Sequence, residues 1–201
     1  MTQAPATEKG RATRERILLA AAELVADKGA AGMSLDDVRA RTGASRSQLY
    51  HYFEDRDDLV RAVIETTTDA VLDVQGELLG RLDSWAGIDR WFDALVQLQV
   101  DRQACGGCPI GSFAGQLAEQ DPQARTAIAD GLERWEAHLR EGLTRMKARG
   151  KLSKQADPAA LSTATMASLQ GGLLLTQVRR DPRQLRIALD AARANLRLAA
   201  A

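Results

Sequence analysis

Residues 35–52 read LDDVRARTGASRSQLYHY, and this stretch predicts two short helices joined by a tight turn. Leu35 and Val38 provide the inward apolar face of the first helix. Gly43 tolerates the left-handed backbone that such a turn requires. Ser45 is a typical N-cap, so the second helix begins there. The stretch therefore has the anatomy of a helix-turn-helix, a motif whose second helix enters the major groove of DNA.

The N-terminal end of the second helix carries Arg46, Ser47 and Gln48. Polar groups at this end reach base edges in a groove about 12 Å wide. Arg pairs with guanine and Gln with adenine, so Arg46 and Gln48 are the expected base readers. Flanking hydroxyls, amides and cations are expected to hold phosphates. The candidates for these flanking contacts are Thr13, Arg14, Ser34, Ser45, Tyr50, His51, Tyr52 and Arg56.

A second interpretation of the same residues is structural. Tyr52 and Phe53 can be core residues, which is the favoured interpretation for Phe53, while Arg46 and Gln48 form a solvated face. The ordered combination of turn, cap and polar helix end favours DNA binding over this alternative.

Helical spacing continues along the whole chain, and no period-two alternation or hairpin turn indicates a strand. Three Asp-Pro pairs, at 121–122, 157–158 and 181–182, predict later helix starts, because Asp suits the N-cap and Pro the first helical position. We predict an all-α fold of about nine helices, three short ones followed by six longer ones. The expected organisation is a disordered tail over 1–10, a helix-turn-helix domain over 11–56 and a larger helical domain over 57–201.

Charge and hydropathy narrow the possible functions. The 201 residues are 45% hydrophobic and 27% charged, with a formal net charge of zero. A protein that coats DNA without specificity has a strong basic excess, which this chain lacks. Residues 38–53 contain no acid and three arginines, which gives this segment a modest excess of positive charge. No apolar stretch approaches the roughly 18 residues of a membrane span, and no secretory signal is recognisable, so we expect a cytoplasmic protein without a membrane partner.

The stretch 13–64 resembles the DNA-binding domain of the TetR/AcrR family. The resemblance rests on Lys28-Gly29, Met33-Ser34-Leu35 with Val38, Thr42-Gly43-Ala44-Ser45, Leu49-Tyr50-His51-Tyr52-Phe53, and Asp57 with Leu59. It implies that Tyr50 and Arg56 hold phosphates and that Arg46 to Gln48 touch bases. His51 and Tyr52 stand in exchanged order relative to the common family pattern, and Arg56 stands where the family usually has Lys.

The stretch 105–196 is similar to the LmrA/YxaF-like branch of that family. The matching segments are 107–111, 118–122 and 169–174. The resemblance implies that residues 57–201 bind a small effector and build a dimer interface.

Two helices near the C-terminus suit such an interface. Small residues at helical spacing let another helix approach closely, and they are Ala160, Ala164, Ala167, Ser168, Gly171 and Gly172. The last helix repeats an apolar stripe of Leu185, Leu189, Ala192 and Leu196. These helices can form half of a symmetric four-helix interface, or they can pack only inside one chain. The family resemblance and the two reading heads of a palindromic operator favour a homodimer through these last two helices.

Aromatic residues make up only 4% of the chain and concentrate in its middle. They can line an apolar cavity for a flat or greasy effector, although a filled core explains them as well. Gln170 is a candidate hydrogen-bonding group for a ligand or an interface amide. The candidate ligand residues are Trp91, Phe92, Leu95, Cys108, Phe113, Trp135, Leu139, Met166 and Gln170.

Cys105 and Cys108 form a Cys-x-x-Cys pair. A thioredoxin-like role needs strands, and a zinc site needs four ligands, which the cysteines with His51 and His138 do not supply convincingly. A thiol sensor remains open, since a helix N-terminus near Cys108 would favour its thiolate. No metal or cofactor is expected.

The combined prediction is a non-enzymatic, ligand-released repressor that acts as a homodimer on palindromic double-stranded operator DNA. Two alternatives remain open: an enzyme with Cys108 as nucleophile and His138 as base, and a helical adaptor that binds only protein.

Overall fold

A computed structural model describes residues 7–201, and this part of the chain is helical throughout, with nine α-helices and no β-strand beyond an isolated bridge between Leu152 and Ala200. The helices are α1 Glu8–Gly32, α2 Leu35–Thr42, α3 Arg46–Tyr52, α4 Arg56–Leu79, α5 Trp85–Asp101, α6 Pro109–Leu117, α7 Pro122–Ala148, α8 Pro158–Arg179 and α9 Arg183–Leu198. The predicted all-α class is confirmed.

The first helix begins earlier than the sequence pattern suggested. Thr7 caps α1 by accepting a hydrogen bond from the Gly10 N–H, so residues 8–10 of the expected tail are helical. Residues 1–6 lie outside the described residues. Gly29 adopts φ 77° and ψ 163° and places a kink near the C-terminus of α1.

The two helices of the motif begin at reciprocal caps. The Ser34 side chain accepts from the Asp37 N–H while the Asp37 carboxylate accepts from the Ser34 N–H, and Ser45 and Gln48 repeat the arrangement at α3. Gly43 ends α2 at φ 68°, the left-handed value that favours glycine. Local capping and turn chemistry thus determine where these helices start and stop.

Two of the three Asp-Pro pairs start helices at the proline itself. Pro122 is the first residue of α7, and Pro158 is the first of α8, where the Asp157 side chain accepts from the Ala159 and Ala160 N–H groups. At the third pair, Pro182 is the N-cap residue of α9, and the Asp181 carboxylate accepts from the Arg183 N–H. The third start therefore lies one residue later than the pattern predicts.

The chain forms two compact units. One comprises residues up to 70 together with 112–131, and it contains α1, α2 and α3. The other comprises 71–111 and 132–201, and it contains α5, α8 and α9. Helices α4, α6 and α7 contribute residues to both, so the division falls later than the expected boundary at residue 56. None of the described helices is long and apolar enough to cross a membrane.

Helices α8 and α9 pack against each other within the second unit. A Cβ at Gly172 would lie 2.9 Å from both Ala188 Cβ and Leu185 Cδ1, so only glycine permits this approach. The last-helix stripe that suggested an interface is buried, with Leu185 and Leu189 each 0% exposed. This stripe therefore packs inside the protomer, because the apolar face of α9 is buried against α8. An interface with a second chain must use other faces of these two helices.

Candidate DNA-binding surface

Helix α3 is anchored by its apolar residues and presents its polar ones. Leu49 and Phe53 are each 2% exposed, and Tyr52 is 9% exposed. The exposed positions are Arg46, Ser47, Gln48, Tyr50 and His51. A short helix held from one side, with polar groups free on the other, can enter a groove without disturbing the core.

The capping box at α3 constrains one of the two expected base readers. Gln48 Oε1 accepts from the Ser45 N–H at 2.9 Å, and the Gln48 N–H donates to Ser45 Oγ at 3.1 Å. Bidentate reading of adenine requires both the oxygen and the nitrogen of the carboxamide. Gln48 can read adenine in this way only if its hydrogen bond from the Ser45 N–H is broken. Arg46 is therefore the stronger candidate for a base contact.

Acidic residues pair with two of the three arginines of the local basic segment. Arg39 pairs with Asp36 at 2.8 Å, and Arg41 pairs with Glu23 at 3.2 Å. Arg46 lies over the Tyr50 ring at 5.6 Å. Within this segment, the positive charge that remains available for a DNA contact is therefore that of Arg46, at the N-terminal end of α3.

Two predicted phosphate contacts have other surroundings in the structure. Tyr52 packs edge-on against His51 and Phe53 and is buried, so its hydroxyl-bearing ring belongs to the core side of α3. The Arg56 guanidinium donates to the carbonyls of Ala30 and Met33, and it also pairs with Asp57. The burial of Tyr52 disagrees with its predicted role in holding phosphate. The same is true of Arg56, because its guanidinium N–H groups already donate to other residues of the protein.

Three of the remaining flanking candidates, Thr13, Arg14 and Ser34, lie in the N-terminal part of α1 or at the N-terminus of α2. Thr13 Oγ1 donates to the Lys9 carbonyl at 2.9 Å, and Arg14 lies over the Phe53 ring at 5.5 Å. Ser34 Oγ donates to the Asp37 carboxylate at 2.7 Å. Hydrogen bonds from Lys28 and Ser34 hold the pKa of Asp37 at about 2, well below the usual range. Asp37 therefore stays ionised and keeps α2 capped.

Gln116, which no sequence motif singles out, stabilises the junction between α1 and α2. Its Oε1 accepts from the Ala30 N–H at 2.7 Å, and a Cβ at Gly29 would lie 3.1 Å from the same oxygen. The partners are 86 residues apart in the chain. No local pattern marks such a contact, because a glutamine in an amphipathic helix is ordinary.

The predicted effector residues are buried except for the half-buried Gln170, and all but Phe113 belong to the second unit. Trp91, Phe92 and Leu139 are each 0% exposed. Phe113 is buried and belongs to the first unit. Met166 is buried, and Gln170 is half-buried on the same helix. The second unit thus gathers most of the candidate residues.

The two cysteines are free and differ in exposure. Cys105 is exposed, whereas Cys108 is buried just before α6 and its sulfur accepts from the Gly111 N–H at 3.3 Å. Burial raises the pKa of the Cys108 thiol above its ordinary value. This direction is opposite to the one expected from a nearby helix N-terminus, because the cost of desolvating a thiolate is the larger effect. Among residues 7–201, no group of three or more His, Cys, Asp or Glu side chains is arranged to hold a metal ion.

Comparison with known proteins agrees with this geometry. Residues 17–63 match the family described as bacterial regulatory proteins, tetR family, and residues 85–192 match the tetracyclin repressor-like C-terminal domain. An HTH-type transcriptional regulator from the lacX 3' region of Lactococcus lactis is 29% identical over 173 residues, covering 85% of this chain and 86% of that protein.

Two further similarities agree with the LmrA/YxaF-like branch named above and with the fold. The transcriptional regulator LmrA of Bacillus subtilis is 24% identical over 166 residues, covering 82% of this chain and 86% of its own. The structure of a TetR transcriptional regulator from Chloroflexus aurantiacus superposes with a TM-score of 0.79 at 23% identity, covering 96% of this chain and 98% of that one. Such proteins are transcriptional regulators, a non-enzymatic class. The chain belongs to the TetR family of bacterial DNA-binding transcriptional regulators.

Proposed function

We propose that this regulator is a cytoplasmic homodimeric repressor that binds a palindromic operator and releases it when a small effector enters the second compact unit. The observation that carries the proposal is the polar N-terminal end of α3, exposed on a helix whose other side is buried. Repression is supported by the match of residues 85–192 to a repressor-like domain.

Base reading is assigned first to Arg46, which has an exposed guanidinium at the start of α3. Ser47 and Tyr50 are exposed beside it and are proposed to contact the backbone, together with His51, Thr13 and Arg14. Phosphate contacts position the protein, whereas base contacts give specificity. Replacing Arg46 should therefore change sequence preference as well as affinity.

The exposed faces of α8 and α9 support a dimer. On α8, an uncharged exposed stripe repeats at alternating intervals of four and three residues, and it consists of Ala160, Ala164, Ala167, Gly171, Leu174 and Val178. On α9, a matching exposed stripe consists of Ile187, Ala191, Ala194 and Leu198. This spacing is the one that lets helices interlock side by side.

A second copy of the chain is the occupant proposed for these stripes. Val178 is 71% exposed and Ile187 is 65% exposed, an unfavourable state for large apolar side chains grouped on one surface. A symmetric four-helix interface would cover both stripes at once. It would also supply the second reading head that a palindromic operator requires.

Selection of bound DNA from a random pool tests the proposed function. The expected product is a palindrome whose half-sites are centred about 34–36 Å apart, or a multiple of that distance. Arg46→Ala should lose the preference at the corresponding base pair. Recovery of non-symmetric sequences, or of none above background, would refute the proposal.

Dimerisation is tested separately by Val178→Glu, with Val74→Glu as the matched control. Both valines are highly exposed, at 71% and 77%, but Val74 lies on α4, outside the proposed stripes. Burial of the new carboxylate in an interface is costly, so Val178→Glu should sediment as a monomer at concentrations where Val74→Glu remains a dimer. Equal behaviour of the two variants would remove the α8–α9 interface from the proposal.

The effector is proposed to act by shifting the spacing or tilt of the two α3 helices. A near-complete switch requires about a 10⁴-fold preference of the effector for the released state. Titration of an operator complex with an effector should therefore lower operator affinity, and a ligand that binds both states equally would leave it unchanged.

A further inference from the structure

Two buried tryptophans of the second unit differ in their hydrogen bonding. The Trp91 indole N–H donates to Gln75 Oε1 at 2.8 Å. The Trp135 indole is 3% exposed, and its Nε1 has no hydrogen-bond partner. A buried N–H without a partner is costly, and each such group in a folded protein calls for an explanation.

A second unpartnered donor is the carboxamide of Gln170. Its Nε2 is shielded from solvent and makes no well-formed hydrogen bond. The amide faces the Cys108 thiol, a weak acceptor. Its oxygen lies 2.8 Å from where a Cβ at Gly111 would stand, so glycine at this position leaves room for the carboxamide.

The register between α7 and α8 places the two donors on the same pair of helices, about two turns apart. Lys147 Nζ donates to the Ala156 carbonyl at 2.7 Å, and the Glu136 carboxylate accepts from the Thr163 hydroxyl at 2.7 Å. These contacts make the two helices antiparallel neighbours, with Trp135 beside the second turn of α8. Gln170 follows about two turns after Thr163, since one turn advances about 5.4 Å.

The fully buried side chains around these donors are uncharged. Within residues 7–201, every buried side chain is apolar or neutral, and no Asp, Glu, Lys or Arg is among the buried residues. Leu139 lies one turn from Trp135 on α7 and is 0% exposed, and Met166 lies one turn from Gln170 on α8. Met is a flexible side chain that can change conformation to admit a ligand.

We propose that the effector is a neutral, largely apolar molecule with a carbonyl-type oxygen that accepts a hydrogen bond from Trp135 Nε1, with Gln170 Nε2 as a second donor about two turns further along α8. The inference rests on the proposed function, because it names the chemistry of the ligand that the second unit binds. The two free donors favour an acceptor, and the lack of a buried cation disfavours an anion. Ketones, amides and lactones have the required oxygen.

Binding of three probes to the full-length protein tests this chemistry. Acetophenone carries the carbonyl, α-methylstyrene replaces that oxygen with a methylene group of similar shape, and benzoate replaces the acetyl group with an anion. Calorimetry is expected to give a Kd for acetophenone at least about tenfold lower than for either of the others, the ratio that one hydrogen bond to a buried donor supports. Equal affinities, tighter binding of benzoate, or no binding of acetophenone would overturn the inference.

Two tryptophan variants provide a second test, whose stability measurement needs no ligand. Trp135→Phe and Trp91→Phe remove the same volume from the core, but only the second breaks a hydrogen bond and strands the Gln75 oxygen. The Tm of Trp91→Phe should therefore fall at least about 3 °C below that of Trp135→Phe. In Trp135→Phe the preference for acetophenone over α-methylstyrene should shrink to about twofold or less. Equal Tm values, or an undiminished preference, would contradict the proposed role of Trp135.

The failure of this inference can be distinguished from failure of the proposed function. Operator release is measured with DNA obtained by selection, in the presence of each probe. If acetophenone binds as expected but does not release DNA, the ligand chemistry stands and the release mechanism fails. If other compounds release DNA while acetophenone does not bind, the repressor function stands and the inference is overturned.

Discussion

Arg56 can act either as a structural residue or as a DNA contact, and replacing it by alanine distinguishes the two roles. In the structure the guanidinium bridges the carbonyls of Ala30 and Met33, at the junction of α1 and α2, with a bond of 2.9 Å to Met33. A hydrogen bond from a charged group contributes about 1.5–3 kcal/mol. Because the Arg56 side chain is 33% exposed, solvent screening reduces the combined effect, and we expect Arg56→Ala to lower the free energy of unfolding by about 2–3 kcal/mol.

That loss of stability is measurable by thermal unfolding. At about 2–4 °C per kcal/mol for a chain of this size, the Tm should fall by about 4–12 °C. The salt dependence of operator binding, measured well below the Tm, should keep its slope. A phosphate contact by Arg56 would instead reduce the slope by about 0.9 for each protomer bound and leave the Tm nearly unchanged.

Arg46→Ala is the matched control, since Arg46 is exposed and stacks only on Tyr50. Its Tm should stay within about 2 °C of the wild type, because surface substitutions change stability by about 0.5 kcal/mol or less. Its operator affinity should fall by about 5- to 150-fold for each half-site, the effect of losing one base contact there. If Arg56→Ala proves as stable as Arg46→Ala, the structural role of Arg56 is wrong.

Two further predictions concern stability. A Cβ at Gly142 would lie 2.4 Å from the Leu82 carbonyl oxygen, so Gly142→Ala should lower the free energy of unfolding, measured in urea, by about 1–3 kcal/mol. Gly76→Ala, where a Cβ has nothing within 4 Å, should raise it by about 0.5–1 kcal/mol. A Gly142→Ala variant as stable as the wild type would show that α7 lies elsewhere. The pKa of Asp37 is about 2 in the folded protein, below its unfolded value, so its stabilising effect is present at neutral pH and lost as pH falls from about 4 to about 2. Asp37→Asn should therefore show a smaller fall in urea midpoint over that interval, and an unchanged fall would exclude the bond to Lys28 as its cause.

The sequence alone determined the helix-turn-helix because its signals are local. A serine cap binds N–H groups within three residues, and a glycine turn needs only its own backbone freedom, so Ser34, Gly43 and Ser45 are readable without knowledge of the fold. The same holds for the helix starts at Pro122 and Pro158. The exposed polar end of α3 follows from the caps together with the apolar spacing.

Only the tertiary structure decided which partners those side chains meet. Arg56 binds carbonyls 23 and 26 residues earlier, and Gln116 binds an N–H 86 residues away, distances over which no periodic pattern in the sequence carries information. The same limit applies to α9, where periodicity identifies the apolar stripe that contains Leu185 but not whether it packs inside one chain or at an interface. Close packing at Gly172 turns Leu185 inward and leaves Ile187 exposed, because a helix presents one face to a neighbour only after the neighbour is in place.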